Sequence, residues 1–250
     1  MAHGIPPVIL ALVRLAIGLV IVAVLWEFAA MFDTAPVRLP RLEAVFRKLS
    51  ELLGNVDFQQ NLSVTYLNFA TGFLAACVIG IGLGLLAGFL QRALRLDFAV
   101  TPVLSALSAA PLIALIPAFF LRFGIQQTTY ICVVFAVSVF PIASAVASGI
   151  GRGRRYGEVP PLPGRHGPHL GRVIVPALRL GAGFGLAGIV ASELFGAKAG
   201  LGFVLLDSVS KFDLPRLFAT ILVFIVPGAI FITLLDGIGA QLADASERRF

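Results

Sequence analysis

The sequence predicts an all-α, polytopic membrane protein with about six transmembrane helices, and three observations carry the prediction. First, 58% of the 250 residues are hydrophobic and 13% are charged, with a mean hydropathy of +0.97; a water-soluble domain of this length needs far more polar surface. Second, apolar runs recur that are long enough to cross a bilayer, because about 20 helical residues span its ~30 Å hydrocarbon core. Third, most of the basic residues stand between those runs. The net charge of +6 and the pI of 10.0 therefore follow from the positive-inside rule, and nucleic acid is not an expected partner.

Residues 15 to 33, LAIGLVIVAVLWEFAAMFD, make the first span, with Arg14 at its near edge and Trp26 and Glu27 approaching the far interface. The connection over 34 to 60 passes through Pro36 and Pro40 and holds a short amphipathic helix, LEAVFRKLSELL. The second span, Leu62 to Leu90, opens on a polar face of Ser63, Thr65, Asn68 and Thr71 and then turns apolar and glycine-rich. Gly80, Gly84 and Gly88 recur every fourth residue, which stacks them on one helix face and lets a neighbouring backbone approach. The third span, 98 to 123, is interrupted by Pro102, Pro111 and Pro117, and the fourth, 128 to 150, by Pro141. Prolines within membrane helices are tolerated where neighbours or a water-lined cavity satisfy the freed carbonyls. Ser105, Ser108, Pro111, Pro117 and Ser144 are therefore candidates for lining a translocation path, with kinks that serve packing alone as the other reading. Residues 177 to 197 and 217 to 239 make the fifth and sixth spans, separated by a loop with a GLG at Gly200 to Gly202.

Between the fourth and fifth spans lies the one long polar interruption, Gly151 to Pro176, with five arginines against the single acid Glu158. An even number of spans puts both termini on one side. Net charge is zero over 33 to 60 and over 193 to 216, +1 over 91 to 98 and +4 over 151 to 172, which assigns the last two loops and both termini to the cytoplasm of a cell (plasma) membrane protein.

Nothing in the chain reads as catalytic, and no metal or cofactor is expected. There is no paired-carboxylate arrangement and no GxxxxGK[ST] phosphate loop, so ATP hydrolysis is not expected of this chain. His166 and His169 have no third ligand nearby in the sequence and read as solvated loop histidines. Cys77 and Cys132 sit in apolar runs as small hydrophobes. Gly183, Gly185 and Gly188 form a nominal GxGxxG inside an apolar span, where helix packing is the better reading. Glu193 and Asp236 fall near span ends, and both are expected to snorkel to the interface.

Several stretches together resemble the binding-protein-dependent permeases of ABC importers, in the nitrate/sulfonate/taurine/bicarbonate branch: WEFAAMF, RLPRLEAV, NLSVTYLNFATGFLAACVIGIGLGLLAGF, APLIALIPAFFLRFGI and ASELFGAKAGLGFVL. The resemblance runs from about residue 24 to 242 and implies a type I ABC-importer permease fold over a single transmembrane domain, 1 to 250. It implies a non-catalytic subunit that pairs with an identical partner in the lipid bilayer. It also implies separate ABC ATPase subunits and an extracytoplasmic solute-binding protein.

Permeases of this kind carry a cytoplasmic coupling loop of the pattern Glu-Ala-Ala, three residues, Gly, nine residues, Ile, one residue, Leu-Pro. By resemblance, 151 to 176 is that loop, with Glu158, Gly164 and Ile174 at the pattern's spacing and Pro176 one residue early. Arg154, Arg155 and Arg172 are then candidate contacts to the ATPase, or topology signals attracted to lipid head groups. Val159-Pro160 stands in place of the two alanines, and Pro161, Pro163 and Pro168 fall where the pattern has helix. Each proline costs about 3 kcal/mol in a helix interior, so the coupling helix is expected to be lost or cut to a turn. The fifth span is expected to be shortened at its inner end. A stand-alone channel or secondary carrier, and a permease-like chain with impaired coupling, are the alternative functions.

Overall fold

The computed structural model describes residues 7–34, 38–94, 97–109, 112–155 and 167–247, and the chain is helical almost throughout them. In order come α1 (Pro7–Phe32), α2 (Leu42–Leu53), α3 (Val56–Leu94), α4 (Asp97–Ala109), a 3-10 turn at Leu112–Leu115, α5 (Ile116–Phe123), α6 (Gln127–Arg155), α7 (Gly167–Leu194), α8 (Leu201–Ser210) and α9 (Leu214–Glu247). Among the described residues five helices are long and apolar enough to cross a membrane: α1, α3, α6, α7 and α9. The expected third span is broken. Pro102–Ser108 and Leu112–Phe123 meet at a bend of 63°, and they make a sixth crossing only if the pair counts as one.

The core is built around α6, the span with the largest buried share of its membrane-crossing window, 56% against 39% or less for the others. Small residues on both neighbours let it sit so deep. A Cβ added at Gly84 would lie 2.6 Å from Val146 Cβ and 2.8 Å from the Ala143 carbonyl oxygen. At Gly80 it would lie 2.9 Å from the Val139 carbonyl, and at Gly88 3.0 Å from Ile150. The glycine face read from the sequence is therefore the groove into which valines and isoleucines of α6 seat, as close helix approach in a membrane requires. Gly72 extends it by two turns, against Ile131 and Val134. On α7, Gly181, Gly185 and Gly188 do the same against Ile142, Ser138 and Val137, while Gly183 meets nothing within 4 Å. Helix packing accounts for two of the three glycines in the nominal GxGxxG.

These contacts fix direction. Gly72 meets Val134 and Gly88 meets Ile150, so α3 and α6 run parallel. Gly149 meets Val173 and Gly188 meets Val137, so α7 runs antiparallel to α6. The start of α3, the end of α7 and the whole of α8 therefore share one end of the bundle. Arg155 and Gly167, which flank 156–166, share the other.

Two further elements follow from local chemistry. At the far end of α1, the Trp26 indole N–H donates to the Pro40 carbonyl at 2.9 Å, and Glu27 accepts the Leu42 N–H at 3.1 Å, which anchors the first turn of α2. The amphipathic helix is where the sequence places it, with Val45 and Leu52 buried against the bundle. In α9, Pro227 has no N–H, so the Val223 carbonyl four residues earlier loses its helical partner. The Tyr66 hydroxyl of α3 donates to that carbonyl instead. Tyr66→Phe is expected to lower stability by about 1 kcal/mol, the net worth of one such bond, measured as the midpoint of thermal unfolding in detergent.

The structure corrects three expectations. The second helix begins at Val56, ahead of the expected Leu62, because Asp57 and the polar residues after it continue the helix beyond its apolar part. The stretch 193 to 216 is not a plain loop: it contains α8, with Leu201, Val204 and Leu205 buried. The fifth span begins ahead of the expected residue 177. Its helix starts at Gly167 and its membrane-crossing window at Val173, because Val173, Ile174 and Val175 extend the apolar run through Pro176.

Candidate transport path and coupling site

The coupling candidates divide between two helix ends and the segment joining them. Arg154 and Arg155 are the last residues of α6, and Arg172, Ile174 and Pro176 lie within α7. Glu158 and Gly164, with Pro161 and Pro163, lie outside the described residues. Pro168 is the second residue of α7, in the first turn, where the N–H it lacks has no helical acceptor. Pro176 is inside the helix, flanked by the buried Val175 and Ala177. It is no terminator.

Of the path candidates, two come together. Ser105 on α4 and Ser144 on α6 place their hydroxyls 3.5 Å apart. Ser108 turns its hydroxyl back onto the Leu104 carbonyl at 2.8 Å, a local bond that uses its one proton. Pro117 opens α5 in its first turn, where it starts a helix and kinks none. Pro111 lies outside the described residues. A separate groove of about 600 Å³ runs between the Leu186–Leu194 face of α7 and the Phe224–Ile232 face of α9. Its lining side chains are all apolar, so they offer a charged solute no partner.

The intramembrane acids behave differently from one another. Asp236 pairs with Arg179 at 3.1 Å, joining α9 to α7 with both side chains partly exposed. Glu193 does not snorkel: it is 0% exposed. The Thr65 hydroxyl donates to its Oε1 at 2.7 Å and the Gly202 N–H to its Oε2 at 2.7 Å. That same hydroxyl accepts the Leu201 N–H at 2.7 Å, and Asn61 Oδ1 accepts the Gly200 N–H at 2.7 Å. The first turn of α8 thus points its N–H groups at side chains of α3 and α7, a helix N-terminus facing a carboxyl. An added Cβ at Gly200 would lie 2.5 Å from Glu193 Oε1, and one at Gly202 2.3 Å from Glu193 Cβ. Only glycine fits at either place.

The far end of α8 is held by charge. Lys211 and Arg216 both reach Asp207 at 2.7 Å. The hydrogen bond from Lys211, with the positive charges of Arg216 and Lys211, holds the Asp207 carboxyl below the usual range. Sequence reasoning noted Glu193, Thr65 and the GLG at Gly200 to Gly202 separately and missed that they meet, as it missed Asn61, Asp207, Lys211 and Arg216. The signal present was the short spacing of Glu193, Gly200 and Gly202 inside ASELFGAKAGLGFVL.

The described residues thus form a helical bundle of membrane-spanning length in which the bent α4–α5 pair packs against the deeply buried α6. No protein-family model matches the chain, but individual relatives do. It is 29% identical over 223 residues to a formylaminopyrimidine transport permease protein of Halalkalibacterium halodurans, covering 83% of this chain and 85% of that one. It is 27% identical over 230 residues to a Bacillus subtilis permease protein named for aliphatic sulfonates transport, covering 87% and 82%. It is 27% identical over 209 residues to the taurine transport system permease protein of Escherichia coli, covering 77% and 75%. The chain is a homologue of ABC transporter permeases along most of its length.

Proposed function

We propose that this chain is the membrane-spanning permease subunit of an ATP-driven ABC importer, and that its solute is a small anion such as a sulfonate or nitrate. The observation that carries the reading is homology to transport permeases over more than three quarters of the chain. The names of the sulfonate and taurine relatives support the solute class. An identical copy completes the path, and Ser105 and Ser144 offer hydroxyls to the solute. Separate ATPase subunits dock at the end formed by α6 and α7, through Glu158, Gly164, Ile174 and Pro176 with Arg154, Arg155 and Arg172. A solute-binding protein delivers at the other end. The excess of arginine over acid in 151 to 172 supports a cytoplasmic position for that segment and for both termini.

Co-expression with an ATPase subunit and a binding protein from the same gene cluster tests the proposal. The ATPase is expected to co-purify with the chain, and replacing Arg154, Arg155 and Arg172 together by alanine is expected to weaken that association. An ATPase that never co-purifies, even after residues 158 to 176 are rebuilt to the Glu-Ala-Ala pattern, would contradict it. A chain with impaired coupling is the second reading, favoured by Pro161, Pro163 and Pro168. It predicts association only after that rebuilding.

A further inference from the structure

Among the described residues four have positive φ, and three of them flank α8: Gly196 (φ 144°) and Gly200 (φ 107°) before it and Phe212 (φ 53°) after it. Between these joints α8 is a rod of 10 residues, and Gly200 at its N-cap position has no side chain to cap it. The caps come from elsewhere in the chain. Asn61, Thr65 and Glu193 accept the N–H groups of Gly200, Leu201 and Gly202 in turn, each at 2.7 Å. Thr65, having accepted one proton, spends its own on Glu193, so Glu193 closes the set. Its partners are a hydroxyl and a backbone N–H, and among the described residues no cation is paired with it. One flank of α8 (Val204, Leu205, Ser208) is buried in the bundle, while the other (Phe203, Leu206, Val209) is exposed.

We infer that Glu193 is a positioning residue: its carboxyl seats α8 on α3 and α7 at the end of the bundle opposite 151–176, and breaking that seat frees α8 as a unit about its flanking joints. The consequence for transport, that a seated α8 is needed for the outer end of the path to work, rests on the permease reading. The seating itself does not.

The test uses the complete importer in liposomes, with Cys77 and Cys132 replaced by alanine and one reporter cysteine at a time. Ser208→Cys reports on α8 and Ser138→Cys on α6, both positions being 0% exposed. Glu193→Gln keeps the size of the side chain but turns one acceptor oxygen into an amide NH2 group, leaving one oxygen for two donors, the Thr65 hydroxyl and the Gly202 N–H. Maleimide labelling at position 208 is expected to quicken at least about tenfold, the shift in a local opening equilibrium that losing one strong hydrogen bond produces. Labelling at 138 is expected to stay unchanged. Thr65→Val is expected to behave as Glu193→Gln does, and Thr65→Ser as the unaltered protein. Unchanged labelling at 208, or equal acceleration at 138, would overturn the inference. Uptake is read in parallel: an unaltered importer that moves no solute fails the permease reading and leaves the labelling result standing. Glu193→Gln with a freed α8 and uptake at least about tenfold slower supports both.

Discussion

Gly84→Ala is expected to destabilise the protein by about 1–3 kcal/mol through overpacking, whereas Gly82→Ala, two residues away on the same helix, is expected to be neutral or stabilising. The contrast comes from what each new methyl would meet. At Gly84 it would enter the space held by Val146 Cβ and the Ala143 carbonyl, neither of which lies at the end of a flexible side chain. At Gly82 it would meet nothing within 4 Å. The α3–α6 contact would have to widen to admit the methyl, and it carries the most buried span of the bundle. Thermal unfolding of the two variants in the same detergent measures the difference. Equal midpoints would show that α3 and α6 do not pack through their glycine face.

Thr65→Val is expected to cost about 3 kcal/mol, because the substitution keeps the shape of the side chain and leaves two buried groups unpaired. The Leu201 N–H would lose its acceptor and Glu193 Oε1 its 2.7 Å donor, both in a site closed to water. Thr65→Ser, which retains the hydroxyl, is expected to cost less than half as much, only the removal of a methyl group. Protease resistance of the purified variants, read against denaturant concentration, separates the two. A valine variant as stable as the serine variant would mean that the hydroxyl contributes nothing to holding α8.

The legible parts of this fold are those that short-range pattern encodes. The apolar runs placed α1, α3, α6, α7 and α9, the fourfold spacing of Gly80, Gly84 and Gly88 announced a packing face, and the alternation in LEAVFRKLSELL marked α2. The illegible parts depend on pairings between distant residues. Glu193 lies near a span end, where a lone acid ordinarily reaches for the interface; its actual partner, Thr65, stands 128 positions away. Without that partner in view, LGFVLLDSVS reads as part of the loop between the fifth and sixth spans. α8 was hidden for the same reason, since its first turn is capped by side chains outside it. The break in the third crossing was half visible: Pro102, Pro111 and Pro117 marked an interrupted run, but no proline spacing yields a 63° bend between Pro102–Ser108 and Leu112–Phe123. Among the candidate path residues, hydroxyl chemistry alone could not distinguish Ser105, which meets Ser144, from Ser108, which bonds its own helix.

The most direct test of the permease reading is solute uptake into proteoliposomes that hold this chain with its ATPase and binding-protein partners, read with ATP inside and without it. The reading predicts that labelled solute from a panel of sulfonates, taurine and nitrate accumulates above the external concentration only when ATP and the ATPase are both present. Uptake that proceeds without the ATPase and stops at equal concentrations on both sides would contradict it and identify a channel or carrier.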